Sequence, residues 1–123
     1  MVNSEQIGAA WDKIRRHVVR TPVMQTDVFG LSLAIKLEHM QHTGSFKARG
    51  AMNSLLSMTV PNAGLVAASG GNHGAAVAWA AARLGHKARI YVPEIAGQAK
   101  INLIKNLGAN LVVVPGAYSN ALE

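Results

Sequence analysis

Leu65–Val92 reads LVAASGGNHGAAVAWAAARLGHKARIYV, and the order of residue types in it decides the class of fold. Leu65–Ala68 is a short apolar run without polar alternation, the pattern of a strand covered in a parallel sheet. Ser69–Gly71 supplies a bend, and Asn72–Leu84 is alanine-rich and free of proline, the composition of a helix. Gly85 follows as the residue best able to take the left-handed backbone that stops a helix. Ala88–Val92 is a second short apolar strand. The order then repeats, with a helix over Gly97–Leu107, Gly108 behind it and a strand at Leu111–Val114. Strand starts at 65, 88 and 111 are evenly spaced by 23 residues (88 − 65 and 111 − 88). Short strands alternating with helices predict right-handed crossovers and an α/β fold: an open parallel sheet with flanking helices, covered on both faces.

Toward the N-terminus the pattern changes. Ser4–Val19 places Ile7, Trp11, Ile14 and Val18 at helical spacing, an inward apolar stripe, and Thr21-Pro22 ends it. Leu33–Met40 (LAIKLEHM) alternates, with Leu33, Ile35 and Leu37 on one side, and reads as a strand. The bend at Thr43-Gly44-Ser45 leads into a helix running to about Met58, in which Met52, Leu55, Leu56 and Met58 are expected core side chains. Gly50 in its interior suggests close approach by another element. At the other end, Pro115-Gly116 predicts a turn and Tyr118-Ser119-Asn120 a helix entry. One turn of helix cannot stand alone, so the chain reads as the N-terminal part of a larger protein.

Composition narrows the classes. The 123 residues are 50% hydrophobic and 15% charged, which suits a compact soluble chain with a core. The net charge of +6 invites nucleic acid as a partner. However, Lys13, Arg15, Arg16 and Arg20 lie far from Lys87, Arg89, Lys100 and Lys105, and aromatics at 5% are too few for base-stacking platforms. No apolar run approaches the ~20 residues of a membrane span. Charges at Glu5, Asp12, Lys13, Arg15 and Arg16 occupy the place where a signal peptide would be apolar, so a cytoplasmic location is expected. With no cysteine there is no disulfide, no thiolate nucleophile and no zinc site of the cysteine type. His39 and His42 lack a third ligand at suitable spacing and read as solvated loop histidines, so no metal is expected.

Two stretches carry chemistry. Ser69–Gly74 (SGGNHG) follows a strand and opens a helix, where bare N–H groups face an anion beyond the carboxyl end of a parallel sheet. Its spacing fits neither the dinucleotide fingerprint nor the phosphate loop that ends in Gly-Lys-Ser/Thr, and by itself a plain tight turn remains open. His42–Ala51 (HTGSFKARGA) puts Lys47 and Arg49 at a helix start, where the dipole favours acidic residues and Ser45 would ordinarily cap. Alone, it is equally a solvated basic turn.

Together the stretches are far more specific. Lys36–Ala51 (KLEHMQHTGSFKARGA) with Ala68–Gly74 (ASGGNHG) closely resembles the pyridoxal-phosphate enzymes of the tryptophan-synthase-β type, in particular the threonine/serine dehydratase and serine racemase group. The resemblance extends through Val92-Pro93 and Lys100–Val114. It implies pyridoxal 5′-phosphate as cofactor and Lys47 as the catalytic residue, forming the Schiff base and then serving as base for the Cα proton. It implies that Asn72 hydrogen-bonds the cofactor's ring hydroxyl, with Phe46 giving apolar cover. Backbone N–H groups of Ser69, Gly70, Gly71, Asn72 and His73 would receive the substrate carboxylate. A nucleophilic lysine must be neutral, and partial burial with Arg49 close by is the expected cause.

The resemblance also implies a two-domain enzyme. Residues 1–58 would begin the larger, cofactor-binding domain and 59–123 would make most of the smaller one, truncated at its C-terminus; the phosphate cup and the partner of the pyridine nitrogen would lie beyond 123. The implied activity is a threonine/serine ammonia-lyase making a 2-oxo acid and ammonia. The alternatives are a serine racemase, a hydroxyaspartate dehydratase, or a non-catalytic α/β fragment as the chain stands, which alone would be inactive. A small amino acid is the expected partner, with the intact protein a homo-oligomer and neither nucleic acid nor membrane involved.

Overall fold

The computed structural model describes residues 1–116, so the helix entry expected at Tyr118–Asn120 lies outside the described residues. The elements are α1 (Ser4–Ile14), β1 (Val23–Val28), β2 (Leu31–Lys36), α2 (Lys47–Leu56), β3 (Leu65–Ala68), α3 (Asn72–Leu84), β4 (Ala88–Pro93), α4 (Gln98–Asn106) and β5 (Asn110–Val114). From Leu65 onward they match the sequence reading to within a residue. Gly85 takes the left-handed conformation behind α3, with φ 76° and ψ 21°, and its N–H donates to the carbonyls of Ala81 and Ala82.

β3, β4 and β5 form a parallel sheet in that order, with Leu65 opposite Ala88 and Ile90 opposite Leu111. Among the described residues the sheet is covered on one face, not on both as expected. A strand order that steps one way, with crossovers of one hand, puts both helices on the same face. Accordingly α3 and α4 share one core with Ile90 and Val92, while Val66 on the other face is 68% exposed and Arg89, opposite it, is exposed too.

α3 is the central helix. Gly74, Ala75, Ala76, Val77, Ala78, Ala80 and Ala81 are all buried, so its small side chains let β4 approach on one side and α2 on the other. α2 contributes Ala48, Ala51, Met52 and Leu55, and α1 adds Ile14 behind it, followed by Val18. Apart from Ala48, the buried apolar side chains form one cluster that draws on both sides of residue 58. Met58 is exposed, and a Cβ at Gly50 would meet nothing; neither the core role of the first nor the close approach at the second is found among the described residues.

Three local expectations also change in the N-terminal half. α1 ends at Ile14, not Val19, although the turn that follows, with the His17 N–H donating to the Ile14 carbonyl at 2.8 Å, still delivers Val18 to the core. β1 has no counterpart in the sequence reading; it pairs antiparallel with β2 through the two-residue turn Phe29-Gly30. The strand expected through Met40 stops at Lys36, and Glu38–Met40 is a 3-10 turn. β2 is exposed along its whole length, as a two-stranded ribbon not packed on a core must be.

Candidate functional site

The turn His42–Gly44 leads into α2, and its backbone is unusual. Thr43 has φ 64° and Gly44 φ 71°. For a β-branched residue the left-handed region is strained, by roughly 1 to 3 kcal/mol, and such strain concentrates at functional sites. His42 is not solvated as expected: its ring stacks on Trp79 of α3 at 4.7 Å between centroids, tying the turn to the central helix. His39 is exposed. Ser45 is buried but caps nothing; its hydroxyl and that of Thr43 have no partner among the described residues.

Lys47 is the first residue of α2. Its side chain is exposed, against the expected partial burial, and its Nζ lies 5.2 Å from the centroid of the Phe46 ring. Phe46 is therefore beside the amine as expected, though itself 59% exposed. Arg49 does not lend its charge to Lys47. Residues two apart on a helix point to different sides, and Arg49 turns to Glu38, donating from Nε at 2.8 Å and from Nη2 at 2.7 Å.

Glu38 is a residue that sequence reasoning missed, and it organises the segment before α2. Its carboxylate also accepts from the Thr21 hydroxyl at 2.5 Å. Lys36 donates to the Thr21 carbonyl, Arg49 Nη2 to the Val19 carbonyl at 3.1 Å, and the Gln41 amide both donates to and accepts from the Val19 backbone at 2.8 and 2.9 Å. The Arg49 guanidinium holds the Glu38 carboxyl at about 2, well below its ordinary value, with Thr21 and Lys36 acting in the same sense and burial opposing them; the same pair raises Arg49. This knot fixes the start of α2 against the α1–β1 connection. Nothing in the spacing of Glu38 and Arg49 announces it.

The loop after β3 is built by close approach. The Ser69 N–H donates to the Tyr91 carbonyl at 2.9 Å, and its hydroxyl accepts from the Gly71 N–H at 3.2 Å. A Cβ on Gly70 would lie 2.6 Å from the Ala96 Cβ, and one on Gly74 would lie 2.2 Å from the Ser69 carbonyl oxygen, so both places require glycine. Gly71 occupies the N-cap of α3 and offers no side-chain cap. The first-turn N–H groups of Asn72, His73 and Gly74 therefore open toward the loop, where the helix dipole favours an anion. Asn72 and His73 are exposed. The Asn72 amide is engaged on one side only: its Oδ1 accepts from Lys100 Nζ at 2.7 Å, and its Nδ2 has no partner among the described residues.

The structure thus places the Lys47 turn and the Ser69–His73 loop at the starts of two helices, α2 and α3, that pack against each other. No hydrogen bond joins Lys47 to the loop among the described residues. Nor is there, among them, a group of three metal-ligating side chains, or a helix long and apolar enough to cross a membrane.

Residues 14–123 match the family described as pyridoxal-phosphate dependent enzyme. The chain belongs to this family. Among the pyridoxal-phosphate dependent enzymes it is 37% identical to an L-threonine ammonia-lyase of Thermotoga maritima, an alignment that takes in 100% of this chain and 32% of that protein. Maize serine racemase superposes with a TM-score of 0.89 at 33% identity, covering 98% of this chain and 39% of that one. The serine racemase of Dictyostelium discoideum gives 0.86 at 32% identity, covering 98% and 41%, and a solved threonine deaminase gives the same TM-score at 36% identity, covering 98% and 40%. The chain spans about a third of the length of the curated relatives it matches.

The family's cofactor is pyridoxal phosphate, and the residues present fit one side of it. An accessible lysine amine beside an aromatic ring suits an aldehyde carbon. An Asn72 amide with its donor side unused suits a ring oxygen, and an uncapped helix start suits a carboxylate.

Proposed function

We propose that this chain carries the lysine-bearing part of a pyridoxal-phosphate dependent ammonia-lyase that converts threonine or serine to a 2-oxo acid and ammonia. The observation that carries it is the pairing of the Ser45-Phe46-Lys47 helix start with an uncapped, glycine-walled α3 start in a chain similar to an L-threonine ammonia-lyase. Lys47 would hold the cofactor covalently and Asn72 would hydrogen-bond it, and the cofactor would supply the electron sink that makes a Cα proton removable. Lys47 Nζ would be the base that takes that proton. The N–H groups of Gly70, Asn72 and His73 would bind and orient the substrate carboxylate, which leaves the β-hydroxyl as the group to be lost; those of Ser69 and Gly71, expected to join them, are instead taken by the Tyr91 carbonyl and the Ser69 hydroxyl. Phe46 shields the lysine from water on one side.

A serine racemase is the second reading, favoured by the superposition on maize serine racemase; a hydroxyaspartate dehydratase is the third. In each, residues 1–58 would begin the larger domain and 59–123 would form most of the smaller, the rest of the cofactor site coming from further chain. A cytoplasmic location fits the charged first helix, and a homo-oligomer is the proposed assembly. The deciding experiment assays the intact protein on serine, threonine, 3-hydroxyaspartate and cystathionine, following 2-oxo acid release and stereoinversion separately. Release from threonine and serine supports the lyase. Inversion without release supports the racemase, and preference for the thioether overturns both. Borohydride trapping with peptide mapping places the cofactor; label on Lys36 or Lys100 instead of Lys47 refutes the site.

A further inference from the structure

We infer that Lys100 is a positioning residue of this site: by taking the oxygen of the Asn72 amide, it turns the amide's Nδ2 hydrogens toward the cofactor's ring oxygen. The inference rests on the proposed role of Asn72. An asparagine amide presents an acceptor and a donor of nearly equal shape, so its orientation is set by its partners. A ring hydroxyl that carries negative charge needs the donor. A lysine ammonium has three donors and no acceptor, so the contact of Nζ with Oδ1 at 2.7 Å admits one orientation only. Its charge also polarises the amide and strengthens the donor on the far side.

The placement of Lys100 argues for a role beyond helix stability. It lies in the first turn of α4, which has no acidic residue, and its ammonium reaches the first residue of α3. A cation at the positive ends of two helices runs against both dipoles, and Lys100 forms no salt bridge among the described residues. A local rule broken without local compensation marks a functional position. An anion bound at the α3 start supplies the compensation.

The experiment compares Lys100→Met, Lys100→Gln, Lys100→Arg, Asn72→Ala and the Asn72→Ala/Lys100→Met double variant in the intact protein. Pyridoxal phosphate is titrated by absorbance, and the side-chain amide resonances of Asn72 are recorded without cofactor. Lys100→Met is expected to move the Asn72 amide resonances, shift the absorption band of the bound cofactor and weaken its binding about three- to tenfold, the worth of one hydrogen bond. Lys100→Arg, which keeps a charged donor, restores both, and Lys100→Gln serves if the methionine variant does not fold. In the Asn72→Ala background, Lys100→Met adds nothing, because there is no amide left to orient. If Asn72→Ala weakens binding and Lys100→Met does not, or if Lys100→Met acts equally in both backgrounds, the inference is overturned while the role of Asn72 stands. If Asn72→Ala is silent, the role of Asn72 falls and this inference with it.

Discussion

Replacing Glu38 by glutamine tests whether the polar knot, not the hydrophobic contacts of α2 alone, holds the lysine turn in place. The carboxyl sits at about 2 in place of its ordinary 4.5. At ~1.4 kcal/mol per tenfold change, that difference is worth on the order of 3 kcal/mol to the folded state. The side chains of Glu38 and Arg49 are 16% and 24% exposed, so water screens the pair in part and a loss of about 2 to 3 kcal/mol is expected from Glu38→Gln at pH 7. Because the folded value lies below the unfolded one, the contribution is complete above pH 4.5, declines as pH falls toward 2, and is absent below it. Urea unfolding of the native and variant proteins across a pH range of about 7 down to 2.5 should show two stabilities that converge on acidification. Arg49→Lys, which keeps the charge but loses the forked geometry, should fall between them. A native–variant gap that stays constant on acidification, or no gap at neutral pH, would overturn this account and assign the fixation of α2 to Met52 and Leu55.

In the proposed site, Asn72→Ala would remove one hydrogen bond to the cofactor ring and leave Lys47 untouched. Turnover should drop about ten- to hundredfold with an altered cofactor spectrum, while borohydride still fixes the cofactor on Lys47; an unchanged spectrum refutes the role. Gly74→Ala places a methyl 2.2 Å from the Ser69 carbonyl oxygen and must displace that loop or α3, so thermal denaturation should show a loss of about 1 to 3 kcal/mol. Gly50→Ala, with open space at its Cβ, should instead be neutral or stabilise by up to roughly 1 kcal/mol, and a destabilised variant would mean that a surface absent from the described residues packs there.

Residue order alone specifies the β3-α3-β4-α4-β5 series and the two stretches that carry the candidate site. Those features rest on neighbours along the chain: apolar runs of strand length, an alanine-rich helix, and Gly85 and Gly108 in the left-handed region with φ 76° and 82°. β1 escapes such reading because its two-residue turn is Phe29-Gly30, with φ 52° and 75°. Asparagine or aspartate before glycine is the pattern that announces such a turn, and phenylalanine there is supported by no local preference. Sequence proximity lends the charge of Arg49 to Lys47, but tertiary structure gives it to Glu38, 11 residues back. The partner of Asn72 is Lys100, 28 residues on, and the stacking of His42 on Trp79 likewise joins separate elements. Side-chain identity therefore sets what each group can donate or accept, whereas the choice of partner waits on the packing of α2 and α4 against α3, because hydrogen bonds and ion pairs depend on distances that residue order does not encode.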